Sequence, residues 1–316
     1  MASTETPAPV QKIRVRLHSI AYAATDALLF EFRALDGAAL PPAAPGAHID
    51  VHLPNGLNRP YSLVASSPYA IAVKREAGGR GGSAWLHDHA RVGMDLEISA
   101  PRNAFPLDES AAATLLLAGG IGITPISAMY RRLNALDRNV ELHYWSRSSE
   151  HALFRSEFEG APGVTLHYGD APSRGNLAAI VASAPPETEL YCCGPDRMLT
   201  EFAAATADRA PERLHTERFS ATELAPPTEG FTVTLARTGI ELAVEPGRTI
   251  LETLIEAGID IAYSCEQGIC GACETKVIDG SPLHRDSFRK PEEHDRLSTV
   301  MVCCAGSSSA WLVLEL

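Results

Sequence analysis

The stretch Ser264-Cys265-Glu266-Gln267-Gly268-Ile269-Cys270-Gly271-Ala272-Cys273 carries three cysteines in the pattern C-x4-C-x2-C, and Cys303 follows after 29 further residues. This is the plant-type ligand spacing of a [2Fe–2S] cluster. The small residues between the cysteines allow the loop to fold tightly around an inorganic cluster, with backbone N–H groups directed at the sulfurs. We therefore predict that Cys265, Cys270, Cys273 and Cys303 hold a centre that passes one electron at a time.

Two other interpretations of these cysteines are a structural zinc site and a set of buried free thiols. Zinc modules usually pair their cysteines as two C-x2-4-C knuckles or include histidine. Three cysteines on one loop with a distant fourth favour the iron–sulfur cluster. Cys303 and Cys304 are adjacent, and the 29-residue gap selects Cys303. Cys304 is then expected to be a small buried hydrophobe that faces the core, since neighbouring strand residues point to opposite sides.

Length and composition indicate an ordinary soluble protein. A chain of 316 residues predicts two or three domains, and 45% hydrophobic with 21% charged residues is a globular balance. The sequence has no run of 18 apolar residues, so no membrane span is predicted. Residues 1–10 lack a signal-peptide pattern and are expected to be a frayed tail. Because thiolate ligands suit a reducing compartment, we expect a cytoplasmic location.

The net charge of −12 argues against nucleic acid or an anionic membrane as a partner. Residues 229–316 contain 14 acidic and 7 basic residues, so this segment contributes −7 of the total. An acidic surface beside a redox centre could dock on a basic patch of an electron acceptor. It could equally serve only to keep the protein soluble.

The first segment, to about Phe105, alternates apolar and polar residues in short runs separated by turns. Short strands at this spacing predict an antiparallel β-barrel or sandwich. A helix is predicted at Gly82–His89, with Trp85 and Leu86 directed inward. The predicted strands are Ile13–Leu17, Ala27–Arg33, Ala47–Leu53, Tyr61–Ala65, Ala70–Arg75 and Asp95–Ser99.

The second segment has the alternation of strand and helix that is typical of a parallel α/β sheet. The continuous apolar run Thr114–Ala118 predicts a strand buried on both faces. A glycine turn and a helix through Leu136 follow it. Further strands are predicted at Val140–Trp145, Val164–Tyr168 and Glu189–Cys193.

The third segment begins after a proline-containing linker at about 224–229. A hairpin is predicted from Phe231–Ala236 and Ile240–Val244, and a helix at Ile250–Ala257 precedes the cysteine loop. Two short strands, Glu274–Ile278 and Trp311–Leu316, would complete a small β-grasp sheet.

Two motifs of the first segment suit a phosphate-bearing ring system. In Arg59-Pro60-Tyr61-Ser62, Arg59 can bind a phosphate with two hydrogen bonds, Tyr61 can pack on a flat ring, and Ser62 can hydrogen-bond a ring nitrogen. Arg59 and Tyr61 should project to one side of their strand and Ser62 to the other. The glycine-rich run 78–83 opens the predicted helix and would present backbone donors to an anion. Alone, Tyr61 could be simple core and the glycine run a flexible surface loop.

Two motifs of the second segment lie at strand ends. The turn Gly119-Gly120-Ile121-Gly122 with Thr124-Pro125 follows a buried strand and opens a helix. The sequence Tyr191-Cys192-Cys193-Gly194-Pro195 ends another strand at the same carboxyl edge, where open α/β sheets bind ligands. We read both as parts of a dinucleotide site, although a strand ending in Cys-Gly-Pro could also be ordinary turn chemistry.

Together and in this order, Arg-Pro-Tyr-Ser, Gly-Gly-Ile-Gly-Ile-Thr-Pro and Cys-Gly-Pro-Asp-Arg-Met resemble the ferredoxin–NADP reductase superfamily. With the cysteine domain at the C-terminal end, the resemblance narrows to the phthalate dioxygenase reductase family, and vanillate O-demethylase reductases are similar. It implies an FMN-binding β-barrel over residues 1–106, an NAD-binding α/β domain over 107–223, and a plant-type [2Fe–2S] ferredoxin domain over 229–316.

The same resemblance implies a function and a set of site residues. FMN would take a hydride from NADH, and single electrons would pass through the cluster to a Rieske-type oxygenase that acts on aromatic compounds. The protein is expected to act as a monomer. Ser62 and Cys193 would lie at the reacting atoms. The implied cofactor-binding residues are Arg59, Tyr61, Ser62, Val73, Lys74, Gly81, Gly82, Ser83, Gly120, Thr124, Asp170, Gly194, Pro195 and Phe219.

Two rival functions remain open at this point. One is a reductase for another acceptor, such as a carnitine-type or diiron monooxygenase. The other is a redox sensor that uses flavin and cluster as signals. The intact hydride-donor site argues against the sensor. A sensor should oxidise NADH poorly with an artificial acceptor.

We predict that NADH is preferred over NADPH. The segment Val164–Asp170 ends in Tyr168-Gly169-Asp170, where a carboxylate could accept hydrogen bonds from a ribose diol and would repel a 2′-phosphate. Arg147 and Arg174, which are near in sequence, would favour a phosphate instead. Steady-state kinetics with each nucleotide measure the preference, and equal kcat/KM values would contradict it.

Overall fold

The computed structural model describes residues 12–169, 175–219, 229–289, 291–294 and 296–316. These residues fall into two compact units, one spanning Lys12–Phe219 and one within Ser220–Leu316. Among the helices of the described residues, none is long and apolar enough to cross a membrane.

The first unit begins with a closed antiparallel barrel. Its strands are β1 (Lys12–Ala24), β2 (Ala27–Ala34), β3 (His48–His52), β4 (Asn58–Ser66), β5 (Tyr69–Lys74) and β6 (Asp95–Ser99). They follow the order β1-β2-β5-β4-β3-β6 around the barrel. Alternation along each strand sends one row of side chains inward, so that Val15, Leu17, Phe30 and Phe32 are fully buried. Strand β1 is longer than the predicted Ile13–Leu17.

Helix α1 (Gly82–His89) packs against β5 and has the predicted bounds. Leu86 is buried in the barrel core, whereas Trp85 is only half-buried at its margin. The expectation that both side chains point inward is therefore correct in full only for Leu86.

The rest of the first unit is a five-stranded sheet with the order β11-β10-β7-β8-β9. Its strands are β7 (Thr114–Gly119), β8 (Val140–Ser146), β9 (Val164–Tyr168), β10 (Glu189–Cys193) and β11 (Leu214–Glu217). All four pairings are parallel, as predicted. Its helices are α2 (Ile123–Ala135), α3 (Arg155–Phe158), α4 (Leu177–Ser183) and α5 (Asp196–Ala205). The sequence analysis missed β11, a short strand whose residues are mostly half-buried.

The barrel and the parallel sheet share one apolar core. Val64 and Ala72 of the barrel belong to the same buried cluster as Ile123, Ile126 and Met129 of α2. This shared core packs α2 against the barrel. The start of α2 and the glycine turn before it are thereby set beside β4 and β5, and β4 bears the Arg-Pro-Tyr-Ser motif.

The second unit is a small mixed sheet with the order β13-β12-β16-β14-β15. Its elements are β12 (Phe231–Leu235), β13 (Glu241–Val244), α6 (Ile250–Glu256), β14 (Glu274–Leu283), α7 (Pro291–His294), β15 (Thr299–Met301) and β16 (Gly306–Leu314). Thr249 and Glu252 form a reciprocal capping box that fixes the start of α6. β14 runs beyond the predicted Ile278, and β16 begins before the predicted Trp311.

The predicted fold class, a β-barrel with a parallel α/β sheet and a C-terminal β-grasp domain, is confirmed. The domain limits 1–106, 107–223 and 229–316 stay predictions, and the linker at about 224–229 falls mostly outside the described residues.

Candidate functional site

Arg59, Tyr61 and Gly82 lie together at the start of α1. A Cβ atom placed on Gly82 would be 2.6 Å from Cγ of Arg59 and 3.4 Å from the Tyr61 hydroxyl. Arg59 and Tyr61 therefore project to the same side of β4, as predicted. The Arg59 guanidinium donates to the carbonyls of Asn58 at 2.7 Å and Arg80 at 3.2 Å, so it is held within the glycine-rich turn.

The start of α1 suits an anion. Gly81 precedes the helix with a φ of 84°, and among the described residues no side-chain cap comes from this N-cap position. Its backbone donors and the neighbouring Arg59 could share a terminal phosphate. Tyr61 offers a half-buried aromatic face, and burial raises the pKa of its hydroxyl, which keeps the ring neutral. These residues fit a phosphate-bearing flat cofactor.

The other predicted flavin residues of the barrel lie on β4, β5 and α1. Ser62 is buried and pairs with His48 of β3. Val73 is buried and accepts a hydrogen bond from His87, whereas Lys74 is half-buried and pairs with Glu76. The Ser83 hydroxyl accepts a hydrogen bond from the backbone of Glu76, which ties α1 to the end of β5.

A buried polar group beside Ser62 was missed in the sequence. Arg102 and Asp50 form an ion pair at 2.7 Å, and the Asp50 side chain is 1% exposed. Burial, helped by Arg102, lowers the pKa of His48 to about 4, so this imidazole is neutral at pH 7. The alternation of polar and apolar residues in His-Ile-Asp-Val was visible, but nothing in it predicted pairing with Arg102.

The two predicted nucleotide motifs touch through their backbones. A Cβ atom on Gly122 would lie 2.2 Å from the Cys193 carbonyl oxygen, and one on Gly119 would lie 2.8 Å from Cδ of Pro195. The turn after β7 and the end of β10 thus form one surface at the carboxyl edge of the sheet. Gly194, whose Cα is part of this contact, completes it.

Of the remaining predicted residues, the structure describes Gly120, Thr124 and Phe219 but not Asp170. Gly120 has a φ of 54° within the turn, and Thr124 is buried with its hydroxyl donated to the Ile121 carbonyl. Phe219 is 38% exposed. Asp170 and the neighbouring Arg174 lie outside the described residues, so the nucleotide preference stays a prediction.

Glu217 is a further residue at this edge that sequence reasoning did not single out. It ends β11 directly beside Cys193 of β10. Its Oε2 atom is buried without a hydrogen-bond partner among the described residues, although part of the side chain is exposed. Burial raises the pKa of this carboxyl to about 8. Recognising Leu214–Glu217 as a strand would have placed Glu217 at the carboxyl edge of the sheet, two residues before Phe219.

The cysteine loop of the second unit brings sulfurs together with backbone donors. The thiol of Cys265 is in hydrogen-bonding contact with the thiols of Cys270 and Cys303. The backbone N–H of Gln267 donates to the Cys265 sulfur at 3.3 Å, and that of Gly268 donates to the Cys303 sulfur at 3.2 Å. Donors directed at sulfur are what a cluster of thiolates requires.

Cys303 reaches this loop because β14 and β15 pair antiparallel. Glu274 pairs with Met301, and the N–H of Val302 donates to the carbonyl of Cys273 at 3.4 Å. Cys273 and Cys303, far apart in sequence, therefore sit at neighbouring ends of paired strands. Both are buried, at 3% and 4% exposure.

The expectation for Cys304 needs correction. Residues 302–304 form a turn, not a strand, so the alternation argument does not apply. Cys304 is only half-buried at the margin of the core, whereas Cys303 belongs to it. A Cβ atom on Gly268 would lie 2.5 Å from the Cys304 sulfur, so both cysteines are close to the ligand loop.

The four predicted ligands fit an iron–sulfur cluster. The pKa of the Cys270 thiol is raised, first by its hydrogen bond with Cys265 and then by burial. Such thiols would stay protonated and crowded without a metal, whereas iron binding removes their protons and uses their proximity. The donor set is entirely sulfur, which suits a cluster of iron and sulfide.

Comparison with known proteins agrees with this geometry. Residues 233–306, which include the four predicted ligands, match the family described as 2Fe-2S iron-sulfur cluster binding domain. A protein named phenoxybenzoate dioxygenase subunit beta, from Ectopseudomonas oleovorans, is 47% identical over 100% of both chains. Tetrachlorobenzoquinone reductase of Sphingobium chlorophenolicum is 44% identical over 98% of this chain and 99% of its own.

A solved structure extends the similarity to the whole fold. Phthalate dioxygenase reductase, described as a modular structure for electron transfer from pyridine nucleotides to [2Fe–2S], is 36% identical to this chain. The match covers 96% of this chain and 98% of that one, with a TM-score of 0.74.

We predict that the Glu217 carboxyl is protonated at pH 7 and loses its proton near pH 8. Its pKa lies above the ordinary value of 4.5, so the group costs the folded state increasing stability as the pH rises from about 4.5 to 8. Infrared difference spectra between the wild type and Glu217→Gln should show a protonated-carboxyl band. This band should disappear as the pH is raised through about 8. A band already lost at pH 6 would contradict the prediction.

We predict that Cys303→Ser loses or severely destabilises the cluster while leaving the first unit intact. Cys304→Ala is the matched control, because it removes the adjacent half-buried thiol and should keep the cluster at little cost in stability. Visible absorption and iron content of both variants measure the outcome. An intact cluster in Cys303→Ser with loss in Cys304→Ala would reverse the assignment.

Proposed function

Because the chain belongs to the phthalate dioxygenase reductase family, we propose that it takes a hydride from NADH and delivers single electrons to an oxygenase. The observation that carries the proposal is that one chain joins the glycine turn after β7 to the end of β10, places Arg59 and Tyr61 at the start of α1, and also holds a four-cysteine site. The first two features can accept a hydride on a bound flavin, and the cysteine site can pass electrons onward one at a time.

The flavin of this proposal is FMN. When bound, FMN accepts electrons in pairs from a hydride and releases them singly, which neither NADH nor a [2Fe–2S] centre can do alone. Arg59 and the start of α1 would hold its single phosphate, and Tyr61 would pack on its ring. Ser62, Val73 and Lys74 would hydrogen-bond the ring edge, and Gly81, Gly82 and Ser83 complete the phosphate turn.

The nucleotide would occupy the joined surface of the turn after β7 and the end of β10. Gly120 and Thr124 lie on one side of this surface, and Cys193, Gly194 and Pro195 lie on the other. The bare backbone of the glycines allows a flat nicotinamide to approach closely. The Glu217 carboxyl, neutral at pH 7, adds no charge at this place. Phe219 is exposed and could cover the flavin until the nicotinamide arrives.

Electrons would leave through Cys265, Cys270, Cys273 and Cys303. The Gln267 and Gly268 N–H groups directed at the sulfurs would stabilise the reduced, more negative state. The proposed acceptor is a Rieske-type oxygenase that acts on aromatic compounds. We propose that the protein meets it as a cytoplasmic monomer through the acidic ferredoxin segment 229–316.

Direct reduction of a quinone is a second candidate, because one relative 44% identical to this chain is named tetrachlorobenzoquinone reductase. A quinone accepts electron pairs and could be served by the flavin without the cluster. The two functions therefore differ in their need for Cys303.

The test is NADH-driven reduction of a one-electron acceptor, cytochrome c, by the holoprotein. The wild type and Cys304→Ala should reduce it, whereas Cys303→Ser should bleach its flavin with NADH yet fail with cytochrome c. Quinone reduction that survives in Cys303→Ser would assign the second activity to the flavin. Wild-type protein that is not reduced by NADH would overturn the proposal.

The flavin released on denaturation should chromatograph as FMN in a one-to-one ratio with the chain. A stoichiometric FAD peak would contradict the assignment of Arg59 and the α1 turn to a terminal phosphate.

A further inference from the structure

A group of two histidines and a carboxylate lies in the second unit and is not part of the four-cysteine site. The ligand atoms of His284, Asp286 and His294 all lie within 4.8 Å of one another. The two imidazole rings stack with their centroids 4.6 Å apart and their planes at 8°. The Asp286 side chain is 1% exposed, and the histidine side chains are 11% and 15% exposed.

The carboxylate of Asp286 is oriented for a ligand. Its Oδ2 atom accepts a hydrogen bond from the backbone N–H of Arg289 at 3.2 Å. Its Oδ1 atom faces the imidazoles, at 3.4 Å from Nε2 of His294 and 3.9 Å from Nδ1 of His284. Carboxylates that bind metals are commonly held by a hydrogen bond of this kind, which leaves the other oxygen available for a ligand.

Two buried polar atoms at the centre of this group lack hydrogen-bond partners among the described residues. They are Oδ1 of Asp286 and Nε2 of His294. Leaving such atoms buried and unsatisfied is costly, and a cation between them would satisfy both. Arg289 forms an ion pair with Glu274. This pairing reduces the electrostatic repulsion that a bound cation would meet from the guanidinium.

We propose that His284, Asp286 and His294 bind a divalent transition-metal ion, for which zinc is the probe. Two imidazoles and one carboxylate are a known zinc ligand set. Ligand distances of about 2.0–2.2 Å in a tetrahedron separate ligand atoms by roughly 3.3–3.6 Å. The 3.4 Å and 3.9 Å separations from Asp286 are close to this range, and the two stacked imidazoles would turn to direct both nitrogens at one ion. Three protein ligands leave one position for water.

The site would join the segment after β14 to α7, and that segment already lies against the cysteine loop. The backbone N–H groups of Ser287 and Phe288 both donate to the Gly268 carbonyl at 3.0 Å. A Cβ atom on Gly268 would lie 3.0 Å from Cα of Asp286. The metal would thus lie beside the loop that holds the cluster without sharing its sulfur ligands. The site does not depend on the proposed electron acceptor.

The experiment measures zinc binding to the zinc-depleted, tag-free holoprotein, which keeps its iron, by calorimetry, with zinc and iron content determined on the same samples. We expect one zinc per chain with iron content unchanged. His294→Gln and Asp286→Asn should each weaken binding by more than the roughly 10- to 100-fold that follows loss of an outer-shell partner. His18→Gln, which removes an exposed histidine of the barrel, is the matched control and should bind as the wild type.

Zinc-edge X-ray absorption of the wild type supplies a second measurement that needs no variant. The spectrum should show two imidazole nitrogens bound to zinc, with oxygen as the only other ligand atom. Failure to bind zinc one-to-one, undiminished binding in both variants, sulfur in the zinc shell, or loss of iron as zinc binds would each overturn the proposal.

Discussion

The close approach of two backbones at the carboxyl edge of the parallel sheet is the constraint on which the proposed nucleotide site depends. The turn after β7 lies so near the end of β10 that a Cβ atom on Gly122 would be 2.2 Å from the Cys193 carbonyl oxygen. A larger residue would force the strands apart at the point where the nucleotide should lie. The same turn leads into α2, whose apolar face packs on the barrel. The contact between Gly122 and Cys193 therefore also helps to position α2 and the sheet edge relative to the barrel.

The cysteine loop uses glycine for the same reason. Gly268 adopts a φ of 68° and lies so close to Cys304 and Asp286 that a side chain would not fit. Gly271 has a φ of 72°, and a Cβ atom there would lie 2.6 Å from the Phe288 ring. The loop can therefore curl with its N–H groups inward only because these positions lack side chains. Iron binding would remove the thiol protons and so relieve the crowding of sulfurs in this loop.

Ionisable groups beside Ser62 and Cys193 are kept neutral or paired. Burial holds the pKa of His48 at about 4 and that of Glu217 at about 8, so both are uncharged at pH 7. Asp50 and Arg102 form a close ion pair. A site that receives a hydride and hands on electrons gains from this, because stray charges in a poorly solvated pocket would shift the reduction potential of a bound cofactor.

The sequence by itself determined the local features of this protein. Cysteine spacing, the period-2 strands, the buried run at Thr114–Ala118 and the glycine turns predicted the fold class and most strands, because each is a property of neighbouring residues. Tertiary structure decided what distant residues do to one another. The pairing of β14 with β15 brings Cys303 to the loop, and the half-buried strand β11 carries Glu217 to Cys193. The turn at 302–304 also overrode the alternation expected for Cys304. His284, Asp286 and His294 meet only after folding, since no local pattern encodes the packing that joins two segments.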